Sequence, residues 1–111
     1  MTVCELGGVL GCETISGSDE ALVRSVDGAY SGDLLSWVMG RAGPGDAWVT
    51  IMSNVNVAAV AALTDVSCVI LAEGVKPDKD LLGRAQKEGL PLMSSPLSAY
   101  ELCRRIGSAL A

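Results

Sequence analysis

Polar and glycine residues come directly after three apolar segments of the chain, and their chemical types suit the binding of a small ligand. They are Ser53, Asn54, Asn56, Glu73, Gly74 and Ser94. Hydroxyl and amide groups can donate and accept hydrogen bonds, and the free N–H groups at a helix N-terminus bind carboxylate or phosphate. These six residues therefore form the candidate ligand-binding set.

Several members of this set also have a structural interpretation. Ser53 or Asn54 can cap a following helix, and Ser94 can act as a cap before a proline. Asn56 falls by helical spacing on the face of Val60, which should pack inward. A buried amide needs a partner, and the backbone is the first choice, before a neighbouring subunit or a ligand.

Catalysis finds little support in the residue types. Glu73 or Asp33 could act as an acid or base, but no residue is spaced to activate either one. The chain has no His, which excludes Ser–His–Asp triads, Cys–His pairs and most zinc sites. The phosphate-loop motif is absent, and the glycines at 43 and 45 precede a strand instead of following one. We therefore expect no enzyme activity, no cofactor and no metal.

Composition limits the partners and the location. The chain has 111 residues, a net charge of -5 and no Phe. Without clustered Lys and Arg we expect no nucleic acid and no anionic membrane as partner. No segment approaches the ~20 apolar residues of a membrane span, and the acidic, glycine-containing N-terminus is unlike a signal peptide. A cytoplasmic protein is expected.

Four cysteines are scattered without a C-x-x-C pair, which disfavours a disulfide framework. Cys68 lies in an apolar run and Cys103 on the apolar face of the last predicted helix, so both are expected to be buried. The roles of Cys4 and Cys12 stay open.

Hydrophobic periodicity and capping signals divide the chain into alternating elements. Helices are predicted at 2–10, with a capping box of Thr2 and Glu5, at 34–42 with Asp33 as cap, and at 55–63, 77–88 and 99–110. Strands or extended segments are predicted at 12–16, 21–29, 47–52, 67–72 and 90–93. This order specifies a single α/β domain over residues 1–111, with a largely parallel sheet, right-handed βαβ crossovers and helices packed on the sheet. Ligands of such sheets bind beyond the carboxyl ends of the strands.

The order of elements in two stretches resembles the DRTGG domain family. They are "TVCELGGVLGCETISG" and "YSGDLLSWVMGRAGPGDAWVTIMSNVNVAAVAALTDVSCVILAEGVKPDKDLLGRAQKEGLPLMSSPLSAYELCRRI". The resemblance implies a stand-alone regulatory or assembly module that dimerises and is not catalytic. The implied fold is that of the N-terminal domain of HPr kinase and of the DRTGG domains in family II pyrophosphatases and long phosphotransacetylases.

This chain departs from the pattern of that family at two loops. Longer relatives carry Gly-Asp-Arg and Thr-Gly-Gly where this chain has Ser53–Asn56 and Ala72-Glu73-Gly74. Loss of the Arg removes a bidentate phosphate clamp, so any ligand is expected to be less anionic than phosphate.

Two functions are therefore predicted. The first is a non-catalytic regulatory or assembly module, homodimeric and acting through protein–protein contact, with Trp37 or Trp48 as a possible anchor. The alternative is a sensing domain for a small ligand, such as a nucleotide, bound at the strand-end loops.

Overall fold

A computed structural model describes all residues from 1 to 111. The helices are α1 (Val3–Leu10), α2 (Asp19–Leu22), α3 (Leu35–Arg41), α4 (Asn56–Thr64), α5 (Lys79–Glu88) and α6 (Ala99–Leu110). The strands are β1 (Glu13–Ser16), β2 (Gly28–Ser31), β3 (Asp46–Thr50), β4 (Cys68–Leu71) and β5 (Leu92–Ser94). None of the helices has the length and apolar character needed to cross a membrane.

The five strands form one sheet in the order β1-β5-β4-β3-β2. Strands β2, β3, β4 and β5 run parallel to one another, whereas β1 pairs with β5 in the antiparallel direction. The predicted α/β domain with a mostly parallel sheet is thus confirmed, but the sheet is mixed. The right hand of the crossovers stays a prediction.

The sheet lies between two layers of helices, and the side chains of the central strand β4 pack against both layers. All four of its residues are buried, and successive side chains of a strand point to opposite faces. Cys68 and Ile70 pack in one apolar cluster with α1 and α6, while Val69 and Leu71 pack in a second cluster with α3, α4 and α5. Because the chain has no Phe, the core consists mainly of aliphatic side chains together with Trp48, which is fully buried.

Side-chain hydrogen bonds cap the starts of several helices. Thr2 and Glu5 make both bonds of the capping box, and Asp78 caps α5 by accepting from the Leu81 N–H at 2.9 Å. Ser98 caps α6 by accepting from the Glu101 N–H at 3.1 Å. The Glu101 carboxylate does not bond back to the Ser98 backbone and instead accepts from two arginines of α6.

The segment 21–29, predicted to be extended, is the main error in the elements. Its start belongs to α2, which Ser18 caps by accepting from the Ala21 N–H at 3.1 Å. Only Gly28 and Ala29 are strand, at the start of β2. Ser18 and the two acidic residues after it are typical of the first turn of a helix, and they start α2 here.

Candidate ligand-binding site

The loops that follow the parallel strands meet at one edge of the sheet and are bonded to each other. The Glu73 N–H donates to the Leu97 carbonyl at 2.8 Å, and the Gly74 N–H donates to the Ser95 carbonyl at 2.9 Å. These bonds join the loop after β4 to the loop after β5. The Asp78 N–H donates to the Ser53 carbonyl at 2.9 Å, which joins the loop after β3 to the start of α5.

Asp33 does not cap α3, contrary to the prediction. The N-cap position of α3 is Leu34, which makes no side-chain bond. Asp33 Oδ1 instead accepts from Thr50 Oγ1 at 2.8 Å and from the Ile51 N–H at 3.0 Å. The Asp33 carboxylate therefore bonds to the buried Thr50 hydroxyl of β3 instead of to the N-terminus of α3. These bonds link the end of β2 to the end of β3.

The loop after β3 has only part of the predicted arrangement. Asn54 Oδ1 accepts from the Asn56 N–H at 2.9 Å, which satisfies a free donor at the start of α4. Asn56 itself is exposed, so the predicted burial of its amide is wrong. The inward face of α4 is formed by Val57, Ala58, Val60, Ala61 and Thr64. Leu63 is also exposed.

The loop after β4 has an uncommon backbone conformation. Glu73 has φ +57° and Gly74 has φ +73°, two consecutive residues in the left-handed region that favours glycine. The Val75 N–H closes the turn by donating to the Ala72 carbonyl at 3.1 Å. Glu73 therefore holds a backbone conformation that glycine adopts more readily than a residue with a Cβ atom.

Ser94 is the last residue of β5 and is not a helix cap. Its neighbour Ser95 has a bonded side chain, since Ser95 Oγ accepts from the Leu97 N–H at 3.1 Å. Ser94 is only 5% exposed, and its hydroxyl makes no hydrogen bond within the protein. The chain has no fully enclosed side-chain N or O atom without a partner, so the Ser94 hydroxyl keeps contact with solvent.

That contact is provided by a cavity of about 190 Å³, which we call the edge cavity. It is lined by Gly11 and Glu13 at the start of β1, Gly74 and Lys76 after β4, and Ser94, Ser95 and Pro96 at the end of β5. Lys76 Nζ lies 3.4 Å from Glu13 Oε2 across its rim. The edge cavity thus combines two hydroxyls, one ammonium and one carboxylate.

The structure brings together two of the six predicted ligand-binding residues, Gly74 and Ser94, in the edge cavity. Ser53, Asn54, Asn56 and Glu73 do not line it, and their ligand role stays a prediction. Glu13 and Lys76 also line the edge cavity, but they were not among the residues predicted from the sequence. Glu13 reaches this edge because β1 is antiparallel to β5, with Glu13 opposite Ser94. No local signal in the sequence indicates that pairing.

The protein has a second polar depression besides the edge cavity. A larger, open groove of about 580 Å³ lies between the end of β1 and the end of α5 and includes Lys87. No group of three His, Cys, Asp or Glu residues is placed to hold a metal ion.

Hydrogen bonds from Arg104 and Arg105 lower the pKa of Glu101 to about 2.

The cysteines are all free thiols. Burial raises the pKa of Cys68 to about 12 and raises that of Cys12 as well, so both thiols are poor nucleophiles at neutral pH. Cys68 is buried as predicted, whereas Cys103 is only partly buried and Cys4 is exposed.

The layers and the edge geometry define an α/β domain with a small polar cavity among its strand-end loops. Residues 5–109 match the model of the DRTGG domain, and the chain belongs to this family. A similar solved structure is that of the CBS and DRTGG domains in the regulatory region of Clostridium perfringens pyrophosphatase, complexed with the activator diadenosine tetraphosphate. Its TM-score is 0.72 at 15% sequence identity, and the match covers 95% of this chain and 45% of that one. A search of curated proteins finds no match.

Proposed function

We propose that this DRTGG domain is a non-catalytic regulatory or assembly module that works as a homodimer through protein–protein contact. The observation that carries the proposal is the exposed Trp37 on α3. Its side chain is 54% exposed, whereas Trp48, the other Trp of the chain, is fully buried. Trp residues with an exposed ring are enriched among the residues that dominate binding energy at interfaces.

The surroundings of Trp37 extend this apolar surface. Leu34, which precedes Trp37 by about one turn of α3, and Ile51 are also exposed large apolar residues, whereas the exposed Met39 lies about 200° from Trp37 around the helix. Ile51 lies beside the start of α3, because its N–H donates to Asp33. The Arg41 guanidinium stands 3.9 Å from the centre of the Trp37 ring, and Arg is another residue type enriched at interfaces.

The position of α3 in the fold leaves room for a second copy. α3 connects β2 to β3 and packs beside α4, so it is the last helix of its layer. β2 pairs only with β3 and is the last strand of the sheet. Two copies related by a two-fold axis can bring both edges together, and such a self-complementary interface is the commonest type in homodimers.

Light scattering coupled to size exclusion tests this proposal, since a homodimer has twice the 11.4 kDa mass of the chain. Trp37→Ser is expected to weaken dimerisation by at least roughly tenfold. Tyr100→Ser is the matched control, because Tyr100 is also a largely exposed aromatic residue but belongs to α6. A monomer at all concentrations, or equal dimer affinity for both variants, would contradict the proposal.

We propose small-ligand sensing at the strand-end loops as the second candidate function. It is supported by the unpaired Ser94 hydroxyl at the edge cavity. The similar pyrophosphatase regulatory region carries a nucleotide activator, which makes nucleotides the first compounds to screen. Thermal-shift measurements with nucleotides and metabolites test this function, and an unchanged melting temperature across the whole panel would argue against it.

A further inference from the structure

The Ser94 hydroxyl is the feature of the edge cavity that calls for a ligand. Ser94 is 95% buried but has no hydrogen-bond partner in the protein, and the cavity is the space that it contacts. Because no enclosed side-chain polar atom of the chain lacks a partner, the Ser94 hydroxyl is open to solvent through the cavity, and a ligand group can take the place of a water bonded to it. The larger groove at the opposite edge differs, since its buried serine, Ser16, donates to the Leu90 carbonyl at 2.7 Å.

The charges on the rim of the edge cavity are balanced. Lys76 Nζ and Glu13 Oε2 are 3.4 Å apart, and both side chains are about 70% exposed. Such an exposed pair contributes little stability, so each group is free to turn toward a ligand charge. Glu73 adds a further exposed carboxylate in the loop that leads to Gly74. A polyanion is therefore disfavoured, whereas a ligand with one charge of each sign finds a partner for both.

The volume of the edge cavity indicates the size of the molecule that fills it. At roughly 30 Å³ for each water molecule, 190 Å³ corresponds to about six waters. Pockets for drug-sized ligands are larger, at roughly 300–1,000 Å³. A molecule of about six to eight non-hydrogen atoms fills the cavity, whereas a nucleotide would extend out of it into solvent.

We propose that the edge cavity binds a small zwitterion of the α-amino acid class. The ligand carboxylate accepts from Lys76 Nζ and from the Ser94 hydroxyl, and the ligand ammonium donates to the Glu13 carboxylate. This inference rests on the ligand-sensing function proposed above and narrows it from nucleotides to compact, net-neutral molecules.

NMR titration of the ¹⁵N-labelled protein to tens of millimolar ligand tests the inference. The probes are glycine, alanine and serine as zwitterions, acetate and methylammonium as single charges, and AMP as a nucleotide. We expect saturable shifts at the amides around Gly74 and Ser94 with at least one zwitterion. The single-charge probes should bind at least roughly tenfold more weakly, because each makes only one of the two charged contacts.

Substitutions then locate the site. Ser94→Ala, Lys76→Met and Glu13→Gln are each expected to weaken zwitterion binding, with about tenfold loss for the two charged groups. Lys87→Met is the matched control, since Lys87 lines the larger groove at the opposite edge. Thermal melting of each variant confirms that it is folded before binding is measured.

The outcomes separate the inference from the function on which it rests. Binding of AMP without binding of any zwitterion would overturn the inference and leave ligand sensing standing. No binding of any probe would overturn the inference, and no response in the wider thermal-shift panel would then overturn ligand sensing as well. Zwitterion binding that none of the three variants weakens would place the ligand elsewhere and refute the assignment of the edge cavity.

Discussion

Replacement of Glu73 by glycine is expected to stabilise the protein. Glu73 has φ +57° and is followed by Gly74 with φ +73°, so the turn needs two residues in the left-handed region. A residue with a Cβ atom is strained there, and the cost is roughly 1–2 kcal/mol. Glycine removes that strain, but its greater conformational freedom in the unfolded chain lowers the free energy of unfolding by about 0.4–1 kcal/mol. The net gain in the free energy of unfolding is therefore about 0.5–1 kcal/mol.

This gain corresponds to a measurable change in melting temperature. The entropy of unfolding is about 2.1 cal/mol/K per residue near 60 °C. For a chain of 111 residues, a gain of about 1 kcal/mol raises Tm by about 4 °C. We therefore expect Glu73→Gly to melt about 2–4 °C higher than the unmodified protein.

Scanning calorimetry and urea denaturation measure this effect, and Glu73→Ala is the control that isolates its cause. Alanine removes the carboxylate but keeps a Cβ atom in the same backbone conformation, so it keeps the strain. Asp65, at φ +59°, is a second comparison. Asp65→Gly should gain less, because the Asp65 carboxylate also accepts from Arg24 at 3.1 Å. Equal stability of the Gly and Ala variants at position 73 would refute the strain argument.

Three further predictions concern other parts of the chain. Asp33→Ala should lower the free energy of unfolding by about 1–3 kcal/mol, because the buried Thr50 hydroxyl loses its acceptor; Asp33→Asn, which keeps an acceptor oxygen, should lower it less in the same urea titration. Iodoacetamide at neutral pH should modify exposed Cys4 while Cys68 stays unmodified in the folded protein, as peptide mass spectrometry would show; modification of Cys68 at the rate of Cys4 would contradict its burial. NMR should show the Glu101 carboxyl titrating near pH 2, below its usual value of 4.5. Because that pKa is lowered in the folded state, the stability that this carboxylate contributes is fully present above about pH 4.5 and is lost as the pH falls toward 2; a Glu101 midpoint at its usual value would show that the arginine bonds do not persist in solution.

The elements of the second half of the chain could be predicted because their signals are local. The buried run of β4, the Asp78 cap of α5 and the Ser98 cap of α6 each depend on residues within one helical turn or one strand. Capping and periodicity are properties of such short segments. The same signals were ambiguous at 21–29, where one turn of helix is followed directly by a short strand.

Asn56 shows why the candidate site was harder to predict than the fold. Its predicted burial followed from a single choice of helix face, and the actual inward face is shifted so that Asn56 points to solvent. Which face of α4 packs inward depends on the sheet and on α3 and α5 beside it. The buried hydroxyl without a partner in the protein is that of Ser94, at the end of β5.

The sequence by itself determined the class of fold, the starts of most helices and the set of loops in which a ligand could lie. Local propensity, capping and hydrophobic period act over a few residues, and these features follow from them. Tertiary structure alone decided that β1 joins the sheet antiparallel to β5 and so brings Glu13 opposite Ser94. It also decided that Asp33 bonds to Thr50 instead of capping α3. Pairings between distant segments depend on how the whole sheet buries its two faces, and no short stretch of sequence contains that information.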